Sequence, residues 1–68
     1  MVDLEIYLAL DEAATKLKEE LLNPSLTQAD FAAVFAMLQG VLEARHKEYI
    51  RQPLAIERYH QAQREEPQ

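Results

Sequence analysis

The chain contains no cysteine and no tryptophan, and glycine occurs once, at position 40. Without cysteine, disulfides, thiolate metal sites and cysteine nucleophiles are excluded. A single glycine leaves few positions for the tight turns of an all-β fold, whereas the abundant Ala, Leu, Glu, Gln, Lys and Arg favour helix. We therefore expect an all-α protein.

The 68 residues form one domain at most. A domain this short buries only about 60% of the surface that its unfolded chain exposes, so its stability alone is marginal. Oligomerisation is a common source of further stability where disulfides are absent. No apolar run approaches the roughly 20 residues of a bilayer span, and the first residues do not resemble a signal peptide. We expect a cytoplasmic protein without a membrane partner.

Charge is distributed unevenly along the chain, whose net charge is -5. Residues 1–44 carry two bases and eight acids, whereas residues 45–64 carry five bases and two acids. The acidic body argues against general affinity for nucleic acid. The basic C-terminal segment is typical of a helix exposed to solvent or to an acidic partner.

Apolar residues near the N-terminus recur at helical spacings of 3, 4, 3 and 4. They are Tyr7, Leu10, Ala14, Leu17 and Leu21. This stripe predicts helix 1 from about residue 3 to residue 22, with Asp3 as N-cap. Alternating apolar and polar residues over 2–8 permit a short strand instead. We favour the helix because a lone strand has no partner in this chain.

The turn between the helices carries the clearest local signals. Asn23 stands at the expected helix C-terminus, and Pro24 cannot continue the helix. Thr27 followed by Asp30 resembles a capping box that starts a new helix. The sequence therefore predicts a turn over 23–27 and helix 2 over about 28–50. A short connection makes two such helices antiparallel neighbours, so residues 1–52 form a helical hairpin.

Residues 53–68 are expected to form a C-terminal helical segment whose end, 64–68, is a frayed tail. Pro53 either kinks helix 2 or lies in the first turn of a third helix. Few apolar residues follow it, so we expect the segment to be dispensable for folding of the hairpin. We assign partner binding to a basic and aromatic set that begins at the end of helix 2. Its members are Arg45, Tyr49, Arg51, Leu54, Arg58 and Tyr59.

Helix 2 carries two heptad-spaced seams on nearly opposite sides. The seam of large residues is Phe31, Phe35, Leu38, Leu42, Arg45 and Tyr49, and we expect it to face helix 1. The seam of small residues is Ala29, Ala33, Ala36 and Gly40. It has no partner within a hairpin, and glycine within a helix costs about 1 kcal/mol relative to alanine. We predict that this seam mediates self-association into a four-helix bundle, although alanines on a solvent-exposed helix would give the same pattern.

Two Glu-x-x-His units have the spacing of ligands in di-iron helical bundles. Glu43 with His46 and Glu57 with His60 are therefore candidate metal ligands. Exposed Glu and His beside Arg and Lys are more often a solvated face, and we predict no cofactor. The basic segment 45–64, with two tyrosines for base stacking, gives a second alternative, a regulator that contacts nucleic acid.

The sequence contains no glycine-rich loop, and its one serine lies in the turn, far from either histidine. A hairpin of this size also offers no concave pocket of the usual few hundred Å³. We therefore predict a non-enzymatic module that binds other proteins. Its expected partners are a second copy of itself and a protein of unknown identity, in an adaptor, chaperone-like or regulatory role.

Overall fold

The computed structural model describes residues 4–65, which form three α-helices and, within that range, no strand. The helices are α1 (Glu5–Leu21), α2 (Gln28–Arg51) and α3 (Pro53–Glu65). The all-α prediction is confirmed, and the strand alternative is wrong for residues 5–8, which are helical. Leu4 is the N-cap residue of α1, and positions 2 and 3, with the predicted N-cap Asp3, lie outside the described residues. None of the helices over 4–65 has the length and hydropathy that a bilayer span requires.

The local capping signals place α2 within one residue of its predicted bounds. The Thr27 hydroxyl accepts a hydrogen bond from the Asp30 backbone N–H at 3.1 Å, which satisfies one of the free donors of the first turn. In the preceding turn the side-chain oxygen Oδ1 of Asn23 accepts a hydrogen bond from the Ser25 backbone N–H at 3.0 Å. At the other end, α2 ends before its C-cap residue Gln52, and α3 begins at Pro53. Of the two predicted alternatives, a kink in helix 2 or a third helix with Pro53 in its first turn, the third helix is the one observed. The proline costs nothing there because an N–H in the first turn has no helical partner.

α1 packs against α2 as a hairpin, and the predicted stripe of α1 is the face that packs. Tyr7 and Ala14 are buried, and the other three members are half-buried. An ion pair between Asp11 of α1 and Arg45 of α2 joins residues 34 positions apart and fixes the antiparallel register. The hairpin therefore follows directly from the spacing of apolar residues in α1.

The inward face of α2 is turned from the predicted one by roughly 60° of helix rotation. Its buried and half-buried positions include a heptad-spaced set, Val34, Leu38, Val41, Arg45 and Glu48, together with Leu42, Ala44 and Tyr49. Leu38 is buried, but Phe31 and Phe35 retain 46% and 45% of their surface exposed. The prediction that the whole large-residue seam faces helix 1 is therefore wrong for its two phenylalanines.

α3 lies at the open end of the hairpin, where α1 begins and α2 ends. Ile56, in its first turn, is completely buried, whereas Leu54 beside it is 72% exposed. Because Ile56 is the largest fully buried side chain over residues 4–65, α3 is part of the packed structure. The expectation that the segment is dispensable for folding stays a prediction, and the burial of Ile56 argues against it. Arg64 and Glu65, which the predicted frayed tail included, belong to α3.

The three helices form a flat arrangement with extents of 42 × 31 × 13 Å. The thinnest extent is less than half of either of the other two, so the arrangement is flat. Only four apolar side chains within residues 4–65 are buried, and they are Tyr7, Ala14, Leu38 and Ile56. A single layer of helices therefore leaves both of its broad sides in contact with solvent.

Candidate interaction surfaces

Two pairs of polar side chains attach α3 to the hairpin. A hydrogen bond of 3.1 Å joins the Tyr7 hydroxyl and His60 Nε2. These two residues are separated by 53 positions in the sequence. The Tyr49 hydroxyl donates to the Glu57 carboxylate. Together with the burial of Ile56, these side-chain contacts connect α3 to both other helices.

The surroundings of these two hydroxyls disfavour their ionisation. Burial, followed by the negative charge of Asp11, raises the pKa of Tyr7 above its ordinary value. The hydrogen bond to Glu57 raises the pKa of Tyr49, because the phenol must keep its proton to donate it. Both tyrosines are therefore neutral at physiological pH and act as fixed hydrogen-bonding groups.

The ion pair between Asp11 and Arg45 lies beside this cluster, with an N–O distance of 2.6 Å. The Arg45 side chain is 28% exposed and the Asp11 side chain 46%, so solvent screens much of the attraction. Such a pair contributes about 0.2–1 kcal/mol. Its main effect is to pair the positive charge of Arg45, which α2 places on its inward face, with a carboxylate.

A shallow depression lies between α1 and α2 next to this pair. Its volume is about 210 Å³, and its lining is Tyr7, Leu42, Arg45, His46 and Tyr49. Small-molecule sites in proteins typically have about 300–1,000 Å³. The polar groups of Tyr7, Arg45 and Tyr49 are already engaged within the chain, so the depression presents few free groups to a substrate.

A larger and more apolar groove separates the start of α1 from α3. Its volume is about 470 Å³, and it is lined by Leu4, Leu54, Ala55, Arg58 and Tyr59. This volume lies within the range of small-molecule sites, so the expectation that the chain offers no concavity of a few hundred Å³ is wrong. Within residues 4–65, Arg58 forms no ion pair with a carboxylate. The groove thus combines exposed apolar surface with a guanidinium available for a carboxylate.

The structure divides the residues that the sequence assigned to partner binding. Leu54, Arg58 and Tyr59 are brought together in the groove. Arg45 and Tyr49 instead make contacts within the chain, and Arg51 pairs with Glu48 at 2.8 Å. The groove residues that the assignment missed are Leu4 and Ala55. The approach of Leu4 to α3 depends on the position of a separate helix.

The predicted self-association seam lies on the outward side of α2, about 130° around the helix from its inward face. Ala29, Ala33, Ala36 and Gly40 are all exposed. A Cβ atom placed on Gly40 would have no neighbouring atom within 4 Å. Nothing within the single chain therefore requires a small residue at this position.

The metal-ligand candidates lie on two different helices, and most of them have other partners. Glu43 pairs with Lys47 at 3.6 Å, Glu57 accepts from Tyr49, and His60 bonds Tyr7. In the described part of the chain no three His, Asp or Glu side chains come close enough to hold a metal ion.

Comparison of the chain with protein-family models, with curated proteins and with solved structures finds no match.

Proposed function

We propose that this protein is a non-enzymatic interaction module of the cytoplasm, with an adaptor, chaperone-like or regulatory role. It self-associates through α2 and presents the groove beside α3 to a second protein. The single-layer arrangement of the helices is the observation that carries this proposal.

A layer of helices is stable when its apolar side packs on another layer. Here the hairpin and α3 bury four side chains among themselves, and several large apolar residues remain exposed. They are Ile6, Leu22, Phe31, Phe35, Met37, Ile50 and Leu54. A second layer supplied by another chain would cover part of this surface and add to a marginal core.

The overall dimensions support the same conclusion. A compact 68-residue domain has a radius of gyration of about 11 Å, whereas this chain has 14.5 Å. A compact protein of this mass exposes about 4,400 Å², whereas this chain exposes 5508 Å². The excess, about 1,100 Å², exceeds the roughly 800 Å² that each partner contributes to a standard interface.

The groove beside α3 supports the second part of the proposal. A partner segment with one large apolar side chain and a nearby carboxylate would fill the space beside Leu54 and Tyr59 and pair with Arg58. An aromatic residue and an arginine next to an apolar pocket are typical of the residues that dominate binding energy at protein interfaces.

The nucleic-acid alternative receives less support from the same residues. Of the five bases in 45–64, Arg45, Lys47 and Arg51 each pair with a carboxylate of this chain. A phosphate backbone would have to compete with those carboxylates and approach a chain of net charge -5. The metal-binding alternative receives none, because the Glu-x-x-His units do not converge within residues 4–65.

Sedimentation equilibrium between about 1 and 200 µM tests the self-association. We expect the average mass to rise towards a multiple of 7.9 kDa across this range. A mass of 7.9 kDa at every concentration would contradict the proposal.

A further inference from the structure

One flank of α2 presents an aromatic face, which we define as Phe31, Phe35 and Leu42. The two phenyl rings are stacked, with centroids 6.3 Å apart and planes inclined by 10°. Each phenylalanine keeps nearly half of its surface exposed, although it stands beside the inward face of the helix. The stacked rings are therefore held in place on one side and open to solvent on the other.

The aromatic face carries no formal charge. Between residues 28 and 42 the only ionisable side chain is Asp30. At 100° per residue, Asp30 projects to the other side of the helix from Phe35. Gln28 and Gln39 are the polar residues on the aromatic side. Because both are uncharged, they can lie at the border of an interface without removing a charged group from water.

This neutrality bears on the identity of the partner. Two copies of a chain with net charge -5 repel each other wherever acidic surfaces meet. The aromatic face lets two copies approach without burying like charges. A two-fold interface also requires a self-complementary patch, which an uncharged apolar flank provides.

The size of the layer is sufficient for such an interface. A standard interface uses about 800 Å² of each partner, and the broad side of the layer measures 42 by 31 Å. The small-residue seam, by contrast, lies on the outward side of α2, about 130° around the helix from the inward face. Packing two layers broad side to broad side produces four packed helices from two hairpins, whereas contact through the outward side of α2 would leave the aromatic face uncovered.

We propose that a second copy of this chain docks on the aromatic face of Phe31, Phe35 and Leu42, and that the Ala29–Gly40 seam is not the interface. This inference rests on the proposed function, since it presumes self-association and names the surface. It assigns the second copy to the broad side of the layer, where it converts the flat arrangement into a two-layer structure.

Sedimentation equilibrium on three single variants tests the assignment, beside the wild-type chain. Phe35→Gln should raise the dissociation constant about 10-fold or more, because truncated aromatic anchors dominate interface energies. Met37→Gln is the matched control, since Met37 is 58% exposed on the opposite flank of the same helix, and should leave the dissociation constant within about 3-fold. Gly40→Leu should also leave association unchanged.

Far-UV circular dichroism at the same concentrations separates lost association from lost folding. If Phe35→Gln reduces the helical signal of the monomer, Phe31→Gln decides the question, because its ring lies one turn nearer the end of the helix. A wild-type chain that stays monomeric would contradict the proposed function itself. A wild-type dimer that survives both phenylalanine variants, and is weakened by Gly40→Leu, would place the interface on the small-residue seam and overturn only the inference.

Discussion

Replacing Ile56 with alanine tests whether α3 is part of the folded unit. Ile56 is fully buried, and the change removes three carbon atoms, each worth about 0.8 kcal/mol on burial. With the cavity that remains, the expected loss is about 2.5–4 kcal/mol. A 68-residue domain has a total stability of only about 3–10 kcal/mol. The variant should therefore be close to the limit of folding.

The assay is thermal and urea unfolding followed by circular dichroism. A loss of this size lowers the melting temperature of a small domain by about 10 °C or more. Leu54→Ala is the matched control, because Leu54 lies in the same turn of α3 and is 72% exposed. We expect it to change stability by no more than about 0.5 kcal/mol. If the two variants melt at the same temperature as the wild type, α3 does not pack as described.

Further predictions concern the core, a cap and alkaline pH. Leu38→Ala should cost about 2–5 kcal/mol in urea unfolding, because Leu38 is buried between the helices, and a cost below 1 kcal/mol would show that α2 has a different inward face. Thr27→Ala should cost about 1 kcal/mol by removing the acceptor for the Asp30 N–H, and unchanged stability would show that the cap is replaced by water. Burial raises the pKa of Tyr7 in the folded chain, so the unfolded chain loses this proton first and stability should fall as pH rises above about 10. Tyr7→Phe should be less stable at neutral pH, because it loses the bond to His60, but should decline less between pH 9 and 11, and a parallel decline in both proteins would contradict the assignment.

Local signals in the sequence were sufficient for the helix boundaries and for the hairpin. The Thr27 cap and the two prolines act within a few residues, and their effects do not depend on the rest of the fold. The helically spaced apolar residues of α1 form one stripe, and this stripe correctly predicted which face of the helix packs inward. For these elements the sequence pattern and the structure agree.

The rotation of α2 was harder to predict because its apolar surface is broad. Two overlapping heptad stripes pass through Leu38 and Arg45, and the choice between them depends on what α1 offers opposite. The carboxylate of Asp11, 34 positions away, accepts a hydrogen bond from the Arg45 guanidinium. Because the charge of Arg45 is paired in this way, the stripe that contains Val34, Val41 and Arg45 can face α1. Phe31 and Phe35 are then displaced onto the flank.

The packing of α3 could not be predicted from local signals either. Ile56 is the one buried side chain of α3 within residues 4–65. The hydrogen bond between Tyr7 and His60 joins residues 53 positions apart. A pattern was present, since Ile56 and His60 lie one helical turn apart on the same side of α3. Nothing in that pattern specifies Tyr7 as the partner.

The dependence of the melting temperature on protein concentration tests most directly the central claim, that a second copy completes the fold. If folding and dimerisation are linked, a 100-fold rise in concentration contributes about 2.7 kcal/mol per dimer, or half of that for each chain. For a domain of this size the melting temperature should then rise by roughly 5–10 °C between 1 and 100 µM. A melting temperature that is the same at both concentrations would show that the single layer is stable alone, and would contradict the claim.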